Sequence, residues 1–203
     1  MNRPNPILIG FFPKKVVPRT DWFKNPVVRD ICSVSTCISP GPDNWINKWK
    51  HNTDTWLFDT PAAARSILAP EDYDFTVFAF RAFPVLFDGE STHPWDITPA
   101  PPYDLSSFAF IGYDIVSRYG GTNFSCSPLS CNNGCETIPV NEHCLIDNLD
   151  DAWEAAERIG AESHSKQLWE PGPYCLIEVN REQRRGEQGV PDYRRQSAPQ
   201  SEP

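Results

Sequence analysis

The sequence predicts an α+β fold: a single domain with a mixed or mainly antiparallel sheet, two main helices, long loops and a disordered C-terminal tail. Three observations lead there. Short apolar runs bounded by Pro, Gly and Asp recur along the chain, as strands do. Only two segments carry a convincing helical start and periodicity. Strands and helices interleave without the regular spacing of βαβ units. The chain has 203 residues, enough for one well-cored domain, expected over residues 6–180. The last stretch, 181–203, reads REQRRGEQGVPDYRRQSAPQSEP. It holds too little apolar surface to offset its ordering entropy, so it is expected to be a disordered tail.

Pro6–Phe12 opens the domain as a first strand, interrupted by Gly10 and stopping at Pro13-Lys14-Lys15. Val27–Ile38 contains a second strand with a Ser-rich centre. A helical turn is expected over Asp43–Lys50, with Trp45 and Trp49 on one side. Thr60 followed by Pro61 is a cap and first-turn proline for a two-turn helix, AAARSIL, which ends before Pro70. Phe75–Phe83 is the strongest strand. Phe75, Val77 and Ala79 lie on one face and Phe78, Phe80 and Ala82 on the other, so both faces are covered and the strand is central. Pro84 is expected to end its regular pairing. Residues 88–107 hold Pro94, Pro99, Pro101 and Pro102 and form a long internal loop. Phe108–Ile115, the short Glu142–Ile146 and Tyr174–Val179 supply further strands. Between the last two, Leu149, Ala152, Trp153, Ala156 and Ile159 share one helical face. Asn148 caps that helix, Asp150 and Asp151 suit its positive end, and Gly160 is expected to terminate it.

The formal net charge is −9. It is unevenly spread: residues 1–50 carry eight Lys and Arg against three acids, and residues 51–180 carry five against twenty. An acidic body repels phosphate backbones, so no nucleic-acid partner is expected. No apolar run approaches the length of a membrane span. Ile7–Phe12 is too short for the apolar core of an export signal, so the cytoplasm is the expected compartment and no membrane partner is expected.

Seven cysteines are present, an odd number that cannot pair completely within one chain. In a reducing compartment they are thiols, core residues or metal ligands. Two segments echo each other: Cys32-Ser-Val-Ser-Thr-Cys37 and Cys126-Ser-Pro-Leu-Ser-Cys131 both fit Cys-Ser-x-x-(Ser/Thr)-Cys. Two such turns can close a four-cysteine zinc site from Cys32, Cys37, Cys126 and Cys131, with Cys135, His143 and Cys144 as alternates. The chain has no Cys-x-x-Cys, and burial of the thiols as small apolar side chains competes with this reading. Cofactors are otherwise not expected. A cysteine-dependent enzyme would use Cys126 or Cys131 with His143 as base, oriented by Asp114 or Asp147.

No phosphate-loop, dinucleotide, zinc-protease or nucleophile-elbow pattern occurs. Gly120-Gly121-Thr122-Asn123 reads as a plain turn. The sequence therefore favours a non-catalytic interaction protein of the adaptor or neutralising-partner kind, its partner another protein and its oligomeric state open. The candidate contact residues are Trp95, in the Pro-rich loop, and Asp150, Asp151 and Glu154 on the acidic helix, where charge complementarity would steer a basic partner.

Overall fold

The structure, a computed structural model, describes residues 3–43, 45, 55–89, 91–119, 124, 126–166 and 169–183. The expected turn over 43–50 and the glycine turn at 120–123 lie largely or wholly outside these residues, as does the expected tail, 181–203, from residue 184 on; residues 181 and 182 instead belong to the last strand.

Alternating apolar residues build the longest strand, β4 (Phe75–Asp88), at the middle of a mainly antiparallel sheet. Its neighbours are β1 (Ile7–Lys15) on one side and β7 (Tyr174–Glu182) on the other. Strand β6 (Phe108–Ser117) pairs with β7 to give the order β1-β4-β7-β6, and β5 (Ser91–Pro94) forms a hairpin with the end of β4. Two-residue strands β2 (Val17–Pro18) and β3 (Asp30–Ile31) make a separate small ladder. Three helices complete the α+β fold among the described residues: α1 (Pro61–Arg65), α2 (Pro128–Cys131) and α3 (Leu149–Lys166), with a 3-10 turn at Gly134–Glu136.

Thr60 caps α1 as its sequence requires, its hydroxyl accepting from the Ala63 amide at 3.1 Å. Asn148 does the same for α3, accepting from the Asp151 amide at 2.9 Å. Helix α3 presses Ala152, Ala155, Ala156 and Ile159 onto Phe83, Phe87, Tyr174 and Leu176. A second cluster gathers Phe78, Phe80 and Ala82 with Ile9, Cys175, Ile177 and Val179, and Trp95, Ile97 and Leu105 pack against it from the Pro-rich loop. Each fully buried aromatic or aliphatic side chain of this kind contributes roughly 1.5–3 kcal/mol.

Several expectations are corrected. Val27–Ile38 supplies only the two-residue β3, because Ser33 and Ser35 turn their hydroxyls onto the Ser35 and Cys37 amides and fold the backbone into turns. Regular pairing does break at Pro84, where the β1 ladder stops at Ala82 and the β7 register shifts between Ala82 and Leu86, but β4 runs on past Phe83 to Asp88. Pro13 is likewise carried within β1, an edge strand, where proline is tolerated. Gly160 does not stop α3 but lies against Phe87, where a Cβ would meet the strand at 3.3 Å. The loop at 88–107 contains β5, and Glu142–Ile146 contributes one bridge, Tyr113 to Ile146, rather than a strand.

The fold repeats itself. Ile9-Gly10-Phe11 in β1 corresponds to Ile111-Gly112-Tyr113 in β6. Both glycines sit at φ 137° beside a register shift, a conformation that L side chains rarely adopt. Phe11 exchanges two backbone hydrogen bonds with Phe58, and Tyr113 exchanges two with Ile146. Those partners sit in matching segments, Leu57-Phe58-Asp59-Thr60 and Leu145-Ile146-Asp147-Asn148, each leading into a capped helix and then a central strand. The register equates Phe80 with Val179, and these two residues pair with each other where the halves meet. The antiparallel sheet is thus two copies of one strand–loop–helix–strand unit, joined along β4 and β7.

Candidate metal centre

The long loop after β1 carries the first Cys-Ser turn, and the loop after β6 carries the second. One buried carboxylate holds both. Asp114, in β6, is fully buried and accepts from the Ser33 hydroxyl at 2.8 Å, the Val34 amide at 2.9 Å and the Ser127 hydroxyl at 2.6 Å. The serine of each Cys-Ser pair therefore bonds the same side chain, which gives the sequence echo a physical reason. From β1, the buried Lys14 ammonium donates to the carbonyls of Ser33 at 3.1 Å, Ser35 at 2.7 Å and Val34. The first turn is clamped from both sides, its carbonyls on the Lys14 side chain and its amide and hydroxyl on the Asp114 carboxyl. Burial pulls the Lys14 ammonium down to about 7, with Asp114 opposing. Burial pushes the Asp114 carboxyl up, and Ser127, Val34 and Ser33 pull it back by bonding its charged form.

The clamp brings three sulfurs together. The Sγ atoms of Cys37, Cys126 and Cys131 all lie within 4.8 Å of one another, and Cys126 is 3.5 Å from Cys37. Cys37 is exposed and the other two are half-buried. Burial pushes Cys126 up to about 12, reinforced by its hydrogen bond to Cys37. Burial also raises Cys131, while the Ser35 hydroxyl at 3.6 Å counters it. A small pocket of about 40 Å³ opens beside the first turn, lined by Lys14, Val34 and Thr36 with aromatic walls from Phe12, Trp45, Trp56 and Phe124.

Cys32 belongs to a different group. Its thiol points at Asp30 Oδ1, 3.4 Å away, and that carboxylate also bonds His143 Nδ1 at 2.6 Å. Asp30, Cys32 and His143 offer one oxygen, one sulfur and one nitrogen within 4.8 Å. Cys32 is buried and its thiol is pushed well up, first by desolvation and then by Asp30. His143 contacts neither Cys126 nor Cys131 among the described residues; its side-chain partners are Asp30 and Glu142. Asp147, the other carboxylate considered as an orienting group, bonds Asn141 instead at 2.8 Å. Cys135 and Cys144 are both buried; the Cys144 thiol donates to the Leu129 carbonyl at 3.8 Å and is driven strongly upward by its neighbour Cys135 and by burial. Cys175 is enclosed in the core, where burial raises it to about 12.

Of the residues considered for partner contact, Trp95 lies in the Pro-rich loop and the three acids lie on the first turns of α3. Trp95 is half-buried under the Arg118 guanidinium, 4.3 Å from the ring centroid, and ties the Pro-rich loop to the core. Asp150 and Asp151 are exposed at the start of α3, Asp150 paired with Arg3 and Asp151 with the Asn148 cap. Glu154 is exposed one turn on. Asp151, Glu154 and Arg158 rim a hollow of about 230 Å³ with Ile138, Pro139 and Ala155 beneath.

Spacing alone does not select Cys37, Cys126 and Cys131 from seven thiols, and the part played by Lys14 has no local signature at all. The signal for Asp114 is its place as the one acid within an otherwise apolar strand run, Phe108–Ile115. No helix among the described residues is long and apolar enough to cross a membrane. The chain matches no protein-family model, no curated protein and no solved structure.

Proposed function

We propose that the protein is a non-catalytic binding module whose two Cys-Ser turns take one soft metal ion, zinc being the best fit, on Cys37, Cys126 and Cys131. The observation that carries this is the convergence of three sulfurs from turns 89 residues apart onto a region 4.8 Å across. Thiolate sulfur bonds zinc at about 2.3 Å, so sulfurs around one ion stand about 3.8 Å apart. Soft thiolates favour zinc or copper(I) over hard cations. Three protein ligands leave a fourth position for water or for a side chain from a partner. Binding draws protons off thiols that burial keeps neutral, so uptake releases protons.

This reading leaves Cys32 outside the ligand set, since its sulfur faces Asp30. The test is the metal content of single variants purified under reducing conditions. Cys37→Ser, Cys126→Ser and Cys131→Ser are each expected to lose most of the zinc, while Cys32→Ser keeps about one equivalent. Equal zinc in all four variants would refute the assignment.

A second reading concerns what the module binds. The rim carries two acids, Asp151 and Glu154, against one base, Arg158, beside apolar Ile138 and Pro139; that net negative edge suits a lysine or arginine of a protein partner, whose stem meets the apolar residues and whose charge meets the acids. In a pull-down, Asp151→Lys with Glu154→Lys is expected to abolish capture of a salt-sensitive partner, and Asp104→Lys to preserve it. Undiminished capture by the double variant would rule the rim out as the contact.

A further inference from the structure

We infer that Cys37 and Cys126 are a modification site: a thiol pair that a small-molecule disulfide of the glutathione class converts into an intrachain disulfide. The two sulfurs are 3.5 Å apart, and a disulfide needs them at about 2.05 Å. Cys37 lies in a turn and Cys126 in an irregular segment, so the remaining approach is made by loop backbone rather than by the sheet. Exposure selects this pair. Cys37 is exposed and reachable, whereas the other neighbouring thiols, Cys135 and Cys144, are both buried. Cys131 is held at the end of α2, with the Ser35 and Ser130 hydroxyls on its sulfur.

The chemistry is two exchanges. The Cys37 sulfur, as thiolate, attacks one sulfur of the small disulfide and expels the first small thiolate, leaving a mixed disulfide on Cys37. Cys126 then loses its proton and attacks Cys37 Sγ, expelling the second. The two cysteines lose two protons and two electrons, and the small disulfide takes them up to become two thiols. Cys131 is left as a single thiol. If the metal reading above holds, on which this consequence rests, oxidation removes two of three ligands and releases the ion.

The experiment treats the full chain with excess oxidised glutathione, with and without a chelator, and maps disulfides by peptide mass. Loss of two hydrogens, with the bond mapped to Cys37 and Cys126, supports the site. The bond is expected to persist in Cys131→Ser. Cys37→Ser is expected to block it, and Cys126→Ser to stall at a glutathione adduct on Cys37. Because the link closes a long loop, the oxidised chain is expected to melt about 5–15 °C higher than the reduced chain when both are kept metal-free by chelator. No bond in the chelator-treated chain, or a bond mapped to Cys37–Cys131 or Cys135–Cys144, overturns the inference. The chelator arm separates the two readings. Disulfide formation in a chain that never held metal refutes the metal reading alone, and bound metal without a disulfide after chelation refutes only this one.

Discussion

Asp114→Ala is expected to destabilise the protein by about 3–5 kcal/mol, the cost of leaving three buried donors without their acceptor. The total stability of a domain this size is about 5–15 kcal/mol, so the variant stands near the edge of folding. Three effects add. The Val34 amide loses its acceptor, the Ser33 and Ser127 hydroxyls lose theirs, and the buried Lys14 ammonium loses the charge that opposes its desolvation. Both Cys-Ser turns loosen together, so Cys126 and Cys131 become faster targets for alkylation. Urea denaturation measures the first effect and timed alkylation the second. Asp104→Ala is the control, because Asp104 is exposed and, among the described residues, bonds only Ser106; its cost is expected within about 0.5 kcal/mol. A loss below about 1 kcal/mol at Asp114, with unchanged alkylation, would mean that the carboxylate does not hold the turns.

Gly112→Ala is expected to cost about 3–5 kcal/mol, from backbone strain and overpacking together. At φ 137° the added Cβ would stand 2.6 Å from the Leu145 Cβ and 3.0 Å from the Ile146 carbonyl oxygen. Neither neighbour can yield easily, because Ile146 is tied to Tyr113 by two backbone bonds. Gly10→Ala meets the same geometry in the other half, 2.7 Å from the Leu57 Cβ and 2.8 Å from the Phe58 oxygen. The two substitutions are therefore expected to cost similar amounts in denaturation. A cost near that of an ordinary surface change at either site would contradict the equivalence of the halves.

The sheet is readable because strand alternation is a local property. Phe75–Phe83 announces a doubly covered central strand in its own residues, and the face shared by Leu149, Ala152, Ala156 and Ile159 announces α3. The repeat is also written in the chain, as Ile-Gly-Phe with Leu-Phe-Asp-Thr and Ile-Gly-Tyr with Leu-Ile-Asp-Asn. It is hard to see because the intervening loops differ: Leu57 follows Phe11 by 46 positions, and Leu145 follows Tyr113 by 32. The cysteine echo is visible for the opposite reason, being short and nearly literal, yet its cause is a residue far away in sequence. Lys14 is the hardest case. Its charge and its neighbour Lys15 suggest a solvated strand end, and only the folding of residues 33–35 around it supplies the three carbonyls that keep it inside. Which cysteines meet is decided by that same clamp, not by their spacing.

The most direct test of the account is the metal content of the untagged, reduced chain by elemental mass spectrometry, followed by chelation. The account predicts about one zinc per chain, and a fall in thermal midpoint when a strong chelator removes it, as for other sites where metal binding and folding are coupled. A chain that folds fully, holds no metal after growth with zinc and takes up none on titration would contradict it.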